Sequence, residues 1–293
     1  MISMRCFLFA LIAFWAGGIE VALAVKGTPK RVVSMNLCTD QLAMLLAGEG
    51  QLYSVSFLAS DPLMSSMVAE AKAYPQNRGR AEEIYLMQPD LVLAGAYTTP
   101  ATVAMLKKLG IDVAIVDMVN SLDELPQLIE KIGGFLGRET AAEALNADYK
   151  ARLADLRQEI NQRPRAVLYY ANGYSSGNYS LANEILTTAG FSNAALERGY
   201  SFGKMPLEVL ALIAPDLVVS SRSYPGNSRS EAILEHPVVK AFRQGESASL
   251  AHTNQDWVCS TPYLLRAIED LKKARDIFQT EGSLMIGAGE VIP

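Results

Sequence analysis

Few side chains in this 293-residue chain are of the types that make or break covalent bonds. Its two histidines are His236, which precedes Pro237 and reads as a turn residue, and His252, which reads as a polar loop residue. Two imidazoles fall short of the ligand set that a zinc site takes, so no intrinsic metal is expected. The sequence carries no Gly-x-Ser-x-Gly elbow, no Walker-type glycine loop and no Gly-x-Gly-x-x-Gly turn. Asp40, Asp117 and Asp256 could be arranged as a carboxylate group, but nothing in their spacing demands it. The expectation is therefore a protein that binds rather than one that catalyses, with an exported α/β enzyme as the alternative. What remains for binding is aromatic. Tyr174, Tyr179, Tyr200, Phe202, Tyr224 and Trp257 concentrate in the second half of the chain. Such rings bury much area at little cost in side-chain entropy, which suits a large planar or macrocyclic ligand. Arg222, and Arg80 in the first half, could pair with an acidic group on it.

Thiols and net charge narrow the setting. Residues 1–24 read as a cleaved export signal: Arg5 supplies the positive end, Cys6 to Ala16 is a short apolar run, and Ala22-Leu23-Ala24 gives the small-x-small cleavage pattern. That run is too short to span a membrane, which takes about 20 apolar residues. The expected product is a soluble, exported protein starting near Val25. Cleavage leaves two cysteines, Cys38 and Cys259, a disulfide candidate in an oxidising compartment or else a free pair facing the ligand. The formal charge of −5 argues against a general nucleic-acid binder.

The elements that must position these groups alternate. Arg31–Ser34, Leu91–Ala94 and Val113–Asp117 are short β-branched runs that read as buried strands, with helices expected over Thr39–Ala47 and Ala101–Leu109. Strands alternating with helices predict parallel sheets in an α/β layer architecture. From Arg138 the pattern becomes helical: Leu145, Tyr149, Leu153, Leu156 and Ile160 form one apolar stripe, and no Gly or Pro interrupts 139–162. The alternation then resumes with strands at Arg165–Tyr170 and Leu217–Ser220 and a helix over Ala182–Ala189. Glu82-Glu-Ile-Tyr-Leu-Met-Gln-Pro-Asp-Leu-Val92 aligns without gaps on Glu208-Val-Leu-Ala-Leu-Ile-Ala-Pro-Asp-Leu-Val218, with six of eleven positions identical. Two similar lobes joined by one long helix account for this echo. The expected division is a leader over 1–24, a first lobe over 25–137, a linker helix over 138–163 and a second lobe over 164–293.

With its leader, RVVSMNLCTDQLAMLLA near the start, the EEIYLMQPDLVLAGAY segment and the helical middle, the chain resembles the class III solute-binding proteins of ABC importers. The resemblance runs from about Lys30 to Phe278. It implies two Rossmann-like lobes with mainly parallel sheets, bridged by a rigid helix, with ligand in the cleft between them. The implied cargo is a preassembled metal chelate: a ferric siderophore, cobalamin or haem. The implied compartment is the periplasm, and the implied partners are a permease dimer with its ATPase subunits, met by a monomer. By position in the motif, the family's permease-docking glutamates fall on Glu82 and Glu208, with Glu83 the neighbour that could serve instead of Glu82. Ligands of open α/β sheets bind beyond the carboxyl ends of the strands. Counting along the sequence, those loops hold Asn36, Cys38, Tyr97, Tyr174, Arg222, Tyr224 and Trp257.

Overall fold

The computed structural model describes residues 27–287, except 223–224, 227 and 245–248. The expected leader and Tyr224 lie outside the described residues.

In the first half, β1 (Val32–Ser34), α1 (Leu37–Leu46), β2 (Leu52–Ser56), α2 (Val68–Ala71), β3 (Gln76–Asn77), α3 (Ala81–Leu86), β4 (Leu91–Gly95), α4 (Pro100–Lys108) and β5 (Val113–Val116) follow one another. Their strands form one sheet in the order β3-β2-β1-β4-β5, every pair parallel. Val32, Val33, Val92 and Leu93 are fully buried, as expected of strands covered by helices on both faces. The chain then turns through α5 (Leu125–Leu136) into α6 (Glu139–Leu156). The second half holds β6 (Arg165–Leu168), β7 (Tyr174–Ser176), α7 (Leu181–Thr188), β8 (Ser192–Asn193), β9 (Phe202–Lys204), α8 (Leu207–Ile213), β10 (Leu217–Ser221), α9 (Pro237–Gln244), β11 (Ser249–Thr253) and α10 (Leu264–Gly287). Its main sheet is again parallel, in the order β11-β10-β6-β8, and β7 and β9 pair antiparallel beside it.

The sequence echo is a structural one. Gln88 and Ala214 occupy equivalent places after α3 and α8, and both are left-handed, with φ of 49° and 45°. Two residues on, the Asp90 carboxylate accepts from the backbone N–H groups of Lys30 and Arg31, and the Asp216 carboxylate from that of Arg165. Each aspartate thus fastens the start of the next strand to the entry of its lobe's first strand.

The connecting helix is shorter than the stripe implied. It runs 18 residues and stops at Leu156, rather than continuing to 162. There Arg157 turns out of the helix, and its guanidinium donates two hydrogen bonds to Asp123, at 2.9 and 3.0 Å. Nor is α6 a bare strut: Ala142, Asn146, Tyr149 and Leu153 are buried against α5 and α10, and the Tyr149 hydroxyl donates to the Leu122 carbonyl. One apolar core runs from Val32, Leu42 and Leu46 through Ile129 and Tyr149 to Leu168, Leu186 and Ile268, so both lobes share it.

Candidate functional site

Each sheet has one place where the strand order reverses, between β1 and β4 in the first lobe and between β6 and β10 in the second. Loops diverge at such points and leave a crevice. After β1 the chain enters α1 through Asn36. Its extended backbone (φ −144°, ψ 135°) places Oδ1 to accept from the N–H groups of Cys38 and Thr39, at 3.0 and 3.4 Å. Capping of this kind satisfies donors that the helix itself leaves unpaired. Gly95, at the end of β4, lies against the Asn36 side chain so closely that a Cβ there would come within 2.8 Å of it. These constraints hold Asn36, Cys38 and Thr39 at the floor of a hollow of about 520 Å³, its open mouth included. The same hollow is walled by Leu42, Ala96, Tyr97, Val116, Asp117, Met118 and Leu128 of the first lobe and by Val258 and Ser260 of the second. Tyr97 stands at its rim, 85% exposed. Asp117 is paired with Lys131 at 3.3 Å.

A second hollow adjoins it across Val258. Its lining comes from Leu63 and Met64 of the first lobe and from Ser221, Arg222, Glu231, Thr253, Asn254 and Gln255 of the second. The partition between the two is the segment 254–260, tied to the first lobe at three points. Ser66 Oγ donates to the Asp256 carboxylate at 2.6 Å, Cys259 is disulfide-bonded to Cys38 with their Cα atoms 5.1 Å apart, and Ser260 Oγ donates to the Val119 carbonyl at 3.4 Å. Asp256 is buried and also takes two hydrogen bonds from Arg266, whose guanidinium lies over the Tyr263 ring. The Cys38–Cys259 bond therefore forms part of the wall, and neither sulfur is a free thiol facing the crevice.

Beneath the floor lies Asp40, fully buried, accepting from Ser56 Oγ. Burial pushes its carboxyl up to about 6, against the lowering pull of hydrogen bonds from Ser34 and Ser56. Asp40 Oδ1 and both polar atoms of the buried Gln41 side chain find no partner among the described residues.

The structure thus brings Asn36, Cys38 and Tyr97 into one hollow and places Arg222 in the other. Trp257 is half-buried and packs on the shared core, one residue from the partition's apex. Tyr174 lines neither hollow. It sits on β7, 41% exposed, beside Phe202 at 6.4 Å and under Lys204 at 5.8 Å. Glu82 and Glu208 are exposed in the first turns of α3 and α8, away from both hollows, and Glu83 accepts from the Arg78 backbone N–H at 2.8 Å. Asp117 and Met118 are lining residues that the strand-end rule would have reached one loop further on. Leu63, Met64 and Ser66 carry no such signal, because only the packing of the lobes brings them there. Among the described residues no group of three or more His, Cys, Asp or Glu is placed to hold a metal ion.

Comparison with known proteins agrees with this architecture. The family profile described as periplasmic binding protein matches residues 32–251. A cobalamin-binding protein of Halobacterium salinarum is 27% identical over 211 residues, which are 70% of this chain and 57% of that one. The chain thus spans little more than half the length of that curated relative. A periplasmic haem-binding protein from Pseudomonas aeruginosa is 25% identical with a TM-score of 0.67, covering 84% of this chain and 92% of that one. The periplasmic vitamin B12 binding protein BtuF of Vibrio cholerae shares the fold at 20% identity, with a TM-score of 0.64 over 86% and 98% of the two chains.

Proposed function

The chain belongs to the periplasmic binding protein family, and from that premise we propose that it captures a metal chelate between its lobes and delivers it to an ABC importer. The observation that carries this reading is the pair of adjoining hollows lined from both lobes, the first at the carboxyl ends of β1 and β4, where that sheet's strand order reverses, and the second at the carboxyl ends of β10 and β11. Recognition there is by shape and hydrogen bonding. The first hollow offers a largely apolar wall, the Tyr97 ring and the polar groups of Asn36 and Ser260; the second offers Arg222 with amides and hydroxyls. The metal arrives within its chelate, the donor set for a bare ion being missing among the described residues.

Charge favours one class of cargo. Among the described lining residues the charged side chains are Arg222, Glu231 and Asp117, the last of them paired with Lys131. A polyanionic ferric catecholate finds no cluster of cations there, and the two propionates of haem find Arg222 alone among the described lining residues. A corrinoid, whose periphery is mostly neutral amides, fits the lining best, and the 27% identical relative is named for cobalamin binding. Delivery uses Glu82 and Glu208, which stand at equivalent exposed points of the two lobes and would pair with arginines on a two-fold permease.

The test is a titration of the apo protein with cyanocobalamin, hemin and ferric hydroxamate and catecholate siderophores, read by quenching of Trp257, the sole tryptophan after position 24. Saturable quenching is expected, tightest with cyanocobalamin. Flat curves for all of these ligands would overturn the receptor reading.

A further inference from the structure

Identity between the two halves of the echo is explained by the fold at most of the positions that retain it. Pro89 and Pro215 are buried, Val92 and Val218 are buried in their sheets, and Asp90 and Asp216 hold backbone N–H groups. Leu91 and Leu217 begin the equivalent strands. Two identities are left over. Four positions are exposed in both halves, namely 82 with 208, 85 with 211, 86 with 212, and 88 with 214. At two of them the residue has changed, Tyr85 to Ala211 and Gln88 to Ala214. The other two keep Glu82 with Glu208 and Leu86 with Leu212. These leucines are among the most exposed apolar side chains described, at 79% and 70%.

A single exposed leucine needs no explanation. The same leucine left in water at the same step of two helices, while its exposed neighbours have changed, does need one. Glutamate and leucine are four residues apart on α3 and on α8, so within each helix they share a face, with their Cβ atoms about 6 Å apart. On the first lobe Leu86 also edges a groove with Tyr85, Gln88, Pro89 and Ile111.

Resting on the docking reading above, we infer that Leu86 and Leu212 are the apolar halves of a twice-repeated docking surface for the two-fold permease of the importer. The partner this surface fits presents, on each subunit, a cationic group with an apolar socket one helical turn away. The carboxylates give orientation and a fast, salt-sensitive encounter. The leucines give the part of the affinity that salt does not screen, through burial of apolar surface.

The experiment measures binding of the full chain to the importer of the same host in lipid nanodiscs, at low salt and at 0.5 M salt. The proteins are the parent, L86S/L212S and E82Q/E208Q. Far-ultraviolet circular dichroism and the cyanocobalamin titration serve as controls for fold and ligand site. L86S/L212S is expected to bind at least about tenfold more weakly at both salt concentrations with both controls unchanged. E82Q/E208Q is expected to lose affinity chiefly at low salt. Binding of L86S/L212S within twofold of the parent overturns the leucine surface. If the glutamate pair still weakens docking in that case, the carboxylate reading survives it; if neither pair does, both fall. Loss with the leucine pair alone upholds the leucine surface and removes the carboxylates from it.

Discussion

Asp40 shows what one side chain contributes when its surroundings exclude water. Its carboxyl lies under the floor of the first hollow with hydroxyls as neighbours, and burial raises its titration from the ordinary 3.8 to about 6. The folded chain therefore holds this proton up to a higher pH than the unfolded chain does. The group favours folding fully below about pH 4, and that contribution is lost as pH rises toward 6, because the unfolded state ionises first. Asp40→Asn removes the ionisation. The variant is expected to gain up to about 3 kcal/mol over the parent in urea unfolding at pH 7, a difference that shrinks toward nothing near pH 4. An offset between the two proteins that stays the same across this range would mean that folding does not shift the titration of Asp40.

At the scale of elements, the segment 254–260 does the most to set the site. Ser66, Cys38 and Val119 fasten it to the opposite lobe, and Val258 stands between the two hollows. C38S/C259S removes a cross-link between residues 221 apart in sequence. It is expected to cost about 2–4 kcal/mol in urea unfolding under oxidising conditions and to match the reduced parent. Equal midpoints for oxidised and reduced parent would show that the bond holds nothing in place. How much of this was legible varies with the range of the forces involved. Five of the eleven described strands were, β1, β4, β5, β6 and β10, because short β-branched runs leave a local signature, and Asn36, Cys38 and Tyr97 followed from counting one loop beyond them; β2, β3, β7, β8, β9 and β11 were not read from the sequence. The end of α6 was not. No residue between 139 and 162 breaks a helix, and the stop comes with the reach of Arg157 to Asp123, 34 residues back along the chain. The Ser66–Asp256 contact spans 190 residues and has no local trace. Tyr174 was placed by its loop, but β7 pairs with β9 and carries its ring to Phe202 instead.

At the scale of the molecule, duplication gives two parallel sheets whose crevices meet and two helices that present the same exposed pair of residues. Duplication did not leave two independent bodies, however. The apolar core that passes from Leu42 through Ile129 and Tyr149 to Ile268 belongs to both lobes, beside a smaller core of each lobe's own around Ile84 and Val92 and around Tyr169 and Val218. Separating them would expose α5 and α6 on one side and α10 on the other, along with the buried Asp256. Scanning calorimetry should accordingly record one endotherm whose calorimetric and van't Hoff enthalpies agree; two resolved peaks would mean that the halves come apart on their own. An insult to either sheet, however far from the crevice, is in this way felt by the entire molecule as a change in the fraction that is folded at all.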